Sequence, residues 1–458
     1  MLLSGIDVNI KMADSVIQEG DQVVFRRAGT TRVFQIRKSR QVYFEKTKFS
    51  ADELIGQSYG TTYEVEGGHL IKVEPASINV ELVSAAGVDN RNLVDTEKNQ
   101  KMSTEDIKKM KEDGVAGEKI ITELIENSET FKSKTEYSQA KYVKKKKQKH
   151  ILSFTVSRPT PRLIMEIYSK EPIKICNLRA DTLAQILSYS NVRYGSNVGV
   201  VETCQGLILA CVLQRMGGQG KIVNLIPNSN DNLSRDVMTY FNFSESALQN
   251  CISYPLNQLS SVKTLDDDVT CVSAGDSVVN SSPVSDAIPH DGDSVVNPSP
   301  VSDAIPHAGD LQSTHSVMIS ADSTQDAVLH IGQKRQLAQL DRAKKQEKKQ
   351  QQLKAAGLIL KHRKLDSLII AARYNPTPIL LKLLDFVPPS RPVVVYCHLL
   401  EPLVECYSQV KAKYTGAQIQ LSETWYREYQ VLPQRTHPMI NMSGTGGYLL
   451  TFITTDPS

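Results

Sequence analysis

The sequence lacks both the cysteine and histidine spacings of metal sites and the long apolar runs of membrane helices. Its seven cysteines are scattered without a Cys-x-x-Cys pair, which favours reduced thiols over zinc ligands or a disulfide framework. The first residues form no secretory hydrophobic segment, and no apolar run approaches the roughly 20 residues that span a bilayer. We therefore expect a soluble, intracellular protein that binds no metal and contacts no membrane.

Glycine is also scarce where a nucleotide-binding fold most needs it. Residues 197–206 read NVGVVETCQG, a buried-strand pattern that ends at Glu202 and leads into a helix. A cofactor turn carries three glycines, because each missing side chain lets backbone N–H groups approach the ligand at the positive end of the helix. Cys204 and Gln205 intrude here, and only Gly206 remains. The turn therefore indicates either a degenerate cofactor site or an ordinary strand-to-helix turn of another α/β domain.

The net charge is small, but the charged residues are strongly segregated along the chain. The formal net charge is +3 over 458 residues, a length that predicts two or three domains. Basic runs at Lys141–Lys149 and Lys334–Lys354 flank an acidic, serine-rich stretch. The second run has high helix propensity and predicts a long, basic, exposed helix over Gln333–Leu360.

The N-terminal region alternates apolar and polar residues in short segments separated by turns. The segments are Gln22–Arg26, Thr31–Arg37, Gln41–Phe44, Thr61–Glu66 and His69–Val73. Period-two alternation with a Gly67-Gly68 turn predicts a small antiparallel barrel or curled sheet. Its first half is crowded with arginine and lysine, which suits either a solvated face or a polyanion.

A helical connection with a dense basic run follows the β region. Helix-start signals predict helices over Thr104–Glu112 and Ala116–Asn127. The run Lys141–Lys149 comes next, and bringing so many positive charges together is costly unless they meet phosphate or stay in water. The run therefore indicates a nuclear import signal, an RNA contact or a solvated segment, of which the first two are compatible.

Strands and helices alternate from residue 151 onwards, which predicts βαβ units and a parallel sheet. Before residue 256 the predicted elements are Ile151–Val156, Ala180–Tyr189, Val198–Glu202, Leu207–Met216 and Lys221–Leu225. After the basic helix they are Ser367–Ala371, Thr377–Leu384, Val393–Cys397, Pro402–Lys411, Gln418–Ser422 and a closing strand near Gly447–Ile453. An insertion therefore interrupts one α/β domain.

The insertion carries a tandem duplication. Gly275–His290 recurs almost verbatim as Gly292–His307, with a 17-residue period. Two copies with several prolines cannot stack into a solenoid, so we expect residues 256–332 to be disordered. The predicted organisation is a β-barrel domain over 1–85, a helical linker with the basic run over 86–150, and an α/β domain over 151–255 and 333–458.

The α/β pattern departs from an S-adenosylmethionine-dependent methyltransferase at the three places where such an enzyme needs functional groups. The glycine loop after the first strand is missing. The second strand, Lys221–Leu225, runs on into Ile226-Pro227-Asn228 without the carboxylate that would hold ribose hydroxyls. The fourth, Ser367–Ala371, is followed by Arg373, whose guanidinium pairs well with phosphate but cannot act as a general base.

Motifs spread along nearly the whole chain resemble those of one family. They are Ile55–Thr61, Asp89–Asp95, Leu124–Ser128, Tyr142–Lys147, Arg179–Gln185, Glu202–Gly206, Arg373–Pro378, Leu421–Trp425, Tyr429–Pro433 and Met442–Tyr448. On these motifs the chain resembles the non-catalytic subunit of the eukaryotic tRNA 1-methyladenosine methyltransferase, which modifies an adenosine of the T-loop. The duplicated insertion is particular to this sequence.

The resemblance implies an α/β chain with an N-terminal small β-barrel followed by a Rossmann-like methyltransferase-fold domain whose cofactor site is degenerate. It implies that this chain is not an enzyme and binds no cofactor, but helps to grip tRNA in a two-plus-two heterotetramer with a catalytic paralogue. The paralogue would bind S-adenosylmethionine and supply the catalytic acid. With the basic run as a candidate import signal, we expect the protein in the nucleus.

By position, we expect the basic run and the arginine after the fourth strand to contact tRNA phosphates: Lys144, Lys145, Lys146, Lys147, Lys149 and Arg373. For Arg373 the alternative is a structural ion pair at a strand end. Further candidates on the barrel are Arg26, Arg27, Arg37 and Lys38.

Several residues near the end of the chain allow two interpretations each. Trp425 and Tyr429 either stack on bases or, at i, i+4 helical spacing, pack in the fold or a subunit interface. Gly444, Gly446 and Gly447 form either a phosphate cradle or a plain glycine-rich hairpin, and His437 is expected to be structural. We expect Gln418–Ser422 and Gly447–Ile453 to lie near the partner subunit.

Two other functions are compatible with the sequence. An active S-adenosylmethionine-dependent RNA methyltransferase would use a divergent loop around Cys204-Gln205-Gly206. A translation-initiation scaffold would use the basic segments for protein or ribosomal partners. Donor binding by the chain alone would favour the first, and tRNA affinity that survives loss of Lys144–Lys147 would favour the second.

Overall fold

The computed structural model describes residues 16–73, 99–264 and 322–455, apart from residues 28, 46, 114, 116, 152, 229–233, 414–415 and 432–435. The chain divides into two units, Met1–Leu265 with Gln352–Ser458, and Asp266–Gln351. The duplication predicted to be disordered lies outside the described residues. Within the described part, no helix is long and apolar enough to cross a membrane.

The N-terminal strands form an antiparallel β domain, as their alternation predicts. They are β1 (Gln22–Arg27), β2 (Thr30–Gln35), β3 (Gln41–Phe44), β4 (Thr47–Ser50), β5 (Thr62–Glu66) and β6 (His69–Val73). β3 and β4 pair as a separate hairpin. The rings of Phe44 and Phe49 lie 5.6 and 5.9 Å from that of Phe25, so aromatic side chains fill the core of the domain.

One strand of the larger β-domain sheet comes from much farther along the chain. β7 (Phe154–Ser157) lies between β1 and β5, which gives the order β2-β1-β7-β5-β6. Phe154 and Val156 belong to the core of the β domain. The prediction that Ile151–Val156 opens the parallel sheet is therefore wrong. Four alternating residues specify a half-buried strand, but they do not specify the sheet that it joins.

Three helices lie between β6 and β7: α1 (Thr104–Glu112), α2 (Gly117–Glu126) and α3 (Glu136–His150). The first two confirm the predicted helices. Gly117 lies close to α3, since a Cβ there would lie 2.7 Å from the carbonyl oxygen of His150. The Thr135 side chain accepts from the Ser138 N–H and caps α3. The basic run therefore belongs to a capped and packed helix.

The second sheet is the predicted Rossmann-like sheet. The remaining strands are β8 (Asn197–Glu202), β9 (Lys221–Ile226), β10 (Cys251–Pro255), β11 (Ser367–Ala371), β12 (Pro392–Cys397), β13 (Ala417–Glu423), β14 (Tyr429–Gln430), β15 (His437–Pro438) and β16 (Tyr448–Ile453). The sheet order is β10-β9-β8-β11-β12-β16-β13, while β14 and β15 form a separate hairpin. β8 to β12 are parallel, and β16 is antiparallel to both its neighbours.

Helices cover both faces of this sheet. The helices after β7 are α4 (Pro161–Tyr168), α5 (Ala180–Tyr189), α6 (Leu207–Arg215), α7 (Asp236–Tyr240), α8 (Glu245–Leu248), α9 (Asp322–Lys361), α10 (Pro376–Leu384) and α11 (Glu401–Lys413), and α9 packs on the sheet through its last turns. Ile369 of β11 faces a core shared with α4 to α7, whereas Leu368 and Ile370 face a core shared with α10, α11 and the last turns of α9. Burial on both faces explains why the strand sequences are continuously apolar.

The structured part extends farther into the chain than predicted after β10. A 3₁₀ helix over Leu256–Thr264 buries Leu259 and Val262, although residues from 256 were expected to be disordered. Polar neighbours around two apolar residues give only a weak periodic signal, which explains the error. The predicted basic helix Gln333–Leu360 lies within α9.

The β domain packs on the α/β domain through β1 and β2. Val24 belongs to the α/β core, and Val33 packs against it. The Asn242 amide pairs with the backbone of Gln22, accepting from its N–H at 2.7 Å and donating to its carbonyl at 3.0 Å. Arg26, which follows Phe25 in β1, is exposed.

Candidate functional site

The turn after β8 is closed by the chain itself. Gln205 and Gly206 both adopt a left-handed backbone, with φ of 61° and 82°. A Cβ on Gly206 would lie 3.0 Å from the Cα of Arg235 and 3.1 Å from the Cγ of Met238. The Val237 N–H donates to the Gln205 carbonyl at 3.1 Å. Because residue 206 has no side chain, the start of α7 can pack directly against the turn.

Glu202 occupies the positive end of α6. Its side chain is buried, and its Oε2 accepts from the Ile208 N–H at 3.0 Å. Burial raises the pKa of this carboxyl to about 7, against the opposing effect of the Ile208 amide. The helix end that binds anions in nucleotide folds is thus capped by a carboxyl group of the same chain.

A short segment, Pro172–Cys176, is held over the end of β8, and we call it the plug. Its last residue has a left-handed backbone, and the Cys176 Sγ lies 3.2 Å from the Oγ1 of Thr203. The Tyr396 hydroxyl donates to the Cys176 carbonyl at 2.9 Å. Arg373 donates from Nη2 to the Ile173 carbonyl at 2.6 Å. Residues at the ends of three neighbouring strands therefore fix the plug.

Two buried thiols, those of Cys176 and Cys204, influence each other's pKa at the plug. The Cys204 thiol, assisted by Thr203 and the Arg373 guanidinium, lowers the pKa of the Cys176 thiol although burial opposes it. The Cys176 thiol and burial raise the pKa of Cys204, whose Sγ donates to the Ala371 carbonyl at 3.4 Å. The cysteine that interrupts the glycine motif is therefore a packing residue of the closed turn.

The closed turn bears directly on methyl-donor binding. A donor site of this fold presents free amides at the first helix and a carboxylate at the end of the second strand. Here Glu202 caps α6, and β9 ends at Ile226 without a carboxylate. The residues present therefore do not fit S-adenosylmethionine. Across the described ranges, no group of three or more His, Cys, Asp or Glu side chains could hold a metal.

Arg373 stands at the end of β11, as predicted, but its contacts are with the plug. Besides the guanidinium bond to Ile173, the backbone N–H of Arg373 donates to the Thr203 Oγ1 at 3.0 Å. It forms no ion pair with any carboxylate in the described part of the chain, so the expected alternative of a structural ion pair is wrong. The residue is exposed, and its role as a phosphate contact stays a prediction.

The lysines predicted to contact tRNA divide between two sides of α3. The exposed lysines, which we call the α3 basic face, are Lys141, Lys144, Lys145 and Lys149. Lys146 and Lys147 are half-buried, and burial lowers the pKa of both. The Lys146 ammonium lies 5.2 Å from the centroid of the Tyr142 ring. The linear run of the sequence is thus an exposed face with two flanking lysines.

The four arginine and lysine candidates of the β domain differ in their contacts. Arg27 pairs with Glu45 and donates to the Ile151 carbonyl at 2.9 Å, so its charge is neutralised within the fold. Lys38 is exposed and lies 3.0 Å from a carboxylate oxygen of Glu19. Exposed Arg26 and Arg37 form no ion pair among the described residues. These two therefore keep charges that are available to a polyanion.

An exposed apolar segment lies between β13 and β16. We call residues 425–431 and 436–440 the apolar arm; its large exposed side chains are Trp425, Tyr426, Tyr429, Val431, Met439 and Ile440. Trp425 is 76% and Ile440 90% exposed. The helical spacing inferred for Trp425 and Tyr429 is wrong, because the segment is extended and β14 begins at Tyr429. An exposed apolar patch of this kind is typical of an interaction site.

Two of the three glycines near β16 lie where a side chain would clash. A Cβ on Gly446 would lie 2.5 Å from the Thr182 Oγ1, and one on Gly447 would lie 2.5 Å from the Tyr396 ring. Gly444 has open space around it. His437 shares a hydrogen bond of 3.1 Å with Gln430 across the β14–β15 hairpin, in keeping with a structural role.

Sequence reasoning missed a polar cluster that holds the base of the apolar arm. We call it the clamp: Arg179, Asp181, Thr182, Thr424 and Gly446. Arg179 binds Asp181 through two hydrogen bonds of 2.6 and 2.8 Å and donates to the Thr424 carbonyl at 2.9 Å. The Thr182 hydroxyl lies 3.0 Å from that of Thr424 and donates to the Gly446 carbonyl at 3.0 Å. Three separate motifs of the family resemblance thus meet at one point, and this was the signal that could have revealed the clamp.

Among solved structures, the chain is similar to an S-adenosylmethionine-dependent O-methyltransferase of Thermotoga maritima, with TM-score 0.49 and 8% identity over 98% of each chain. It is also similar to a tRNA (m1A58) methyltransferase of Aquifex aeolicus, with TM-score 0.44 and 11% identity over 96% of this chain and 99% of that one.

Sequence relatives give a stronger result. The Gcd10p family matches residues 16–284. The tRNA (adenine(58)-N(1))-methyltransferase non-catalytic subunit of Mus musculus is 39% identical over 452 residues, which cover 97% of this chain and 89% of that protein. The protein of the same name from Dictyostelium discoideum is 31% identical over 96% of this chain and 80% of its own length. The chain therefore belongs to the Gcd10p family, together with the non-catalytic subunits of tRNA (adenine(58)-N(1))-methyltransferase.

Proposed function

We propose that this chain is the non-catalytic, tRNA-binding subunit of a tRNA 1-methyladenosine methyltransferase that acts on the T-loop adenosine. The observation that carries the proposal is the closed turn after β8, where Glu202 caps α6 and the plug lies against Thr203. A Rossmann-like domain binds its ligand outside the carboxyl ends of its strands, and here the chain's own side chains occupy that edge. The relatives named above carry the same non-catalytic description.

The α3 basic face is the first element of the proposed tRNA contact. Its exposed lysines lie on one side of a capped helix that packs on α2, so their positions are set by the fold. Lysine ammonium groups release counterions when they meet phosphates, which gives affinity that does not depend on nucleotide sequence. Exposed Arg26 and Arg37 of the β domain and Arg373 at the end of β11 extend the proposal.

The proposed partner is a catalytic paralogue, in a two-plus-two assembly. β13 is an edge strand of the second sheet, and the predicted partner segment Gln418–Ser422 lies within it. An edge strand presents unpaired N–H and C=O groups, and a partner subunit can cover them. The adjacent apolar arm offers exposed aromatic side chains, which are enriched at the centres of protein interfaces.

We further propose that the paralogue binds S-adenosylmethionine and that this chain does not. Equilibrium dialysis with labelled S-adenosylmethionine tests the division of labour on this chain, on the paralogue and on their complex. We expect no binding to this chain alone and one donor for each paralogue chain in the complex. Stoichiometric binding by this chain alone, or methyl transfer by it, would replace the proposal with an active methyltransferase.

The size of the complex tests the assembly separately. The mass of the co-expressed species in solution should correspond to two copies of each chain. A one-to-one species would contradict the two-plus-two arrangement while leaving the subunit role intact.

Retention of full tRNA affinity after neutralising the α3 basic face and Arg373 would instead favour a scaffold whose basic segments bind proteins.

The proposed location is the nucleus, with the basic run of α3 as the import signal. A fluorescent fusion of the full chain should accumulate in the nucleus, and substitution of Lys144, Lys145 and Lys149 by glutamine should reduce that accumulation. An unchanged distribution would assign nuclear entry to another segment or to the partner. A cytoplasmic distribution of the unaltered fusion would contradict the proposed location.

A further inference from the structure

A second basic surface has no role in the function proposed above. Every side chain that the structure describes between residues 339 and 350 of α9 is exposed. A helix that is polar on all sides in this way is not stabilised by burying an apolar stripe. This part of α9 must therefore be stabilised by another interaction.

The basic residues of this segment are confined to one half of the helix. At 100° per residue, four described cations fall within about 160° of the helical circumference: Arg342, Lys344, Lys348 and Lys349. The described side chains of the opposite half are neutral or acidic: Gln339, Ala343, Gln346, Glu347 and Gln350. One acidic residue, Asp341, falls in the basic half by its place in the helix. We call the four cations the α9 basic face. Such segregation is not needed for solubility, which a scattered arrangement would provide equally well.

The cations of the α9 basic face are not paired with carboxylates within the described structure. None of its four cations forms an ion pair with a described carboxylate, and the nearby Glu347 accepts instead from the Gln351 amide at 3.4 Å. Lys344 and Lys348 are four residues apart, a spacing at which like charges destabilise a helix. An anionic partner would remove this repulsion.

We propose that the α9 basic face is a second RNA-binding site, which contacts phosphates of the tRNA backbone. The proposal rests on the function proposed above. A protein partner would need apolar or aromatic side chains at the centre of the contact, and the described residues of this half provide none. A phosphate backbone needs only well-placed positive charges, because the affinity comes from counterion release.

The test compares three forms of the full complex with the catalytic paralogue. They are the unaltered complex, a variant with Lys344, Lys348 and Lys349 changed to glutamine, and a control variant with the exposed lysines Lys382, Lys411 and Lys413 changed to glutamine. The tRNA affinity of each is measured across a series of salt concentrations. We expect the α9 variant to flatten the plot of log affinity against log salt by about three, and to bind about tenfold more weakly at low salt.

The control variant should keep the slope of the unaltered complex, since it loses the same charge elsewhere. An α9 variant with an unchanged slope, or a control variant that loses as much, would overturn the second site while leaving the tRNA-binding function standing. Failure of the unaltered complex to bind tRNA would instead overturn the proposed function.

A second measurement does not depend on any variant. Hydrogen exchange of the α9 amides in the unaltered complex should slow when tRNA is added, because phosphates remove the repulsion that destabilises the helix. Exchange of these amides that is the same with and without tRNA would also overturn the proposal.

Discussion

The Nη2 of Arg179 donates to the carbonyl oxygen of Thr424 at 2.9 Å, and so joins the start of α5 to a residue 245 positions later in the chain. The guanidinium is also bound twice by Asp181, and it lies 5.6 Å from the ring centroid of Tyr426. The clamp therefore fixes the point at which the apolar arm leaves the second sheet. We infer that the direction of the arm depends on one guanidinium group.

Substitution of Arg179 by alanine should loosen the arm and weaken assembly. The change removes hydrogen bonds to a carboxylate and a carbonyl and leaves Asp181 without its cation, at a cost of about 2 kcal/mol in the free energy of unfolding. Urea unfolding of the chain and the mass of the co-purified complex measure the two effects. Arg193→Ala, at an exposed arginine outside the clamp, is the matched control. Intact co-purification of the Arg179 variant would separate the clamp from assembly.

Substitution of Glu202 by glutamine should change the pH dependence of stability. Burial raises the pKa of this carboxyl from 4.5 to about 7, so the folded protein resists its ionisation while the unfolded chain does not. The associated stability is fully present below about pH 4.5 and is lost as the pH rises through about 7. Glutamine cannot ionise and can still accept from Ile208.

The difference in the free energy of unfolding between the Glu202 variant and the unaltered protein should therefore increase, in favour of the variant, by on the order of 3 kcal/mol from pH 5 to pH 8. Denaturant unfolding at both pH values measures the gain. Glu405→Gln, at an exposed glutamate of α11, should show no such difference. A constant offset between the Glu202 variant and the unaltered protein would show that the buried carboxyl does not titrate in this range.

Alanine at Gly447 should destabilise the second sheet. Gly447 has a φ of 77°, and a Cβ there would overlap the Tyr396 ring, whose hydroxyl holds the plug. Left-handed strain costs about 1–2 kcal/mol, and overpacking adds about 1–3 kcal/mol. Thermal unfolding measures the loss. Gly444→Ala is the natural control, because nothing lies within 4 Å of a Cβ at that position. Equal stability of the two variants would refute the packing explanation.

Neutralising the α3 basic face should weaken tRNA binding without unfolding α3. Lysines 144, 145 and 149 are exposed, so their replacement by glutamine removes charge and little packing. We expect the salt dependence of tRNA affinity to flatten by about one for each phosphate contact removed. Circular dichroism checks the fold, and the triple substitution of Lys382, Lys411 and Lys413 supplies the charge control. An unaltered slope would exclude this face from the RNA contact.

Local patterns predicted most elements but not all of their partners. The alternation over Gln41–Phe44 and the apolar run over Ser367–Ala371 each predict a strand, and the structure shows both strands with these bounds. The Phe154–Ser157 strand was assigned to the wrong sheet, because its pairing with β1 and β5 depends on residues about 90 to 130 positions earlier. Sequence pattern carries period and burial, whereas strand order is a property of the whole fold.

The candidate site was predicted in the same partial way. The absence of glycine at positions 204 and 205 pointed to the turn after β8, because Cys204 and Gln205 are adjacent in the sequence. The plug was not foreseen, because Ile173 and Arg373 are 200 positions apart in the chain and no local pattern links them. Arg373 was therefore interpreted from its place at a strand end, whereas its guanidinium binds the carbonyl of Ile173 in the plug.

The insertion of β7 between β1 and β5 also governs how the chain can be made. The first six strands leave the ribosome long before Phe154–Ser157, and without it β1 and β5 have no common neighbour. During synthesis the early strands therefore wait with unpaired edges while three helices are completed. Nascent chains cut before residue 154 should consequently be the aggregation-prone products of this gene, and chaperone demand should fall once the seventh strand has emerged.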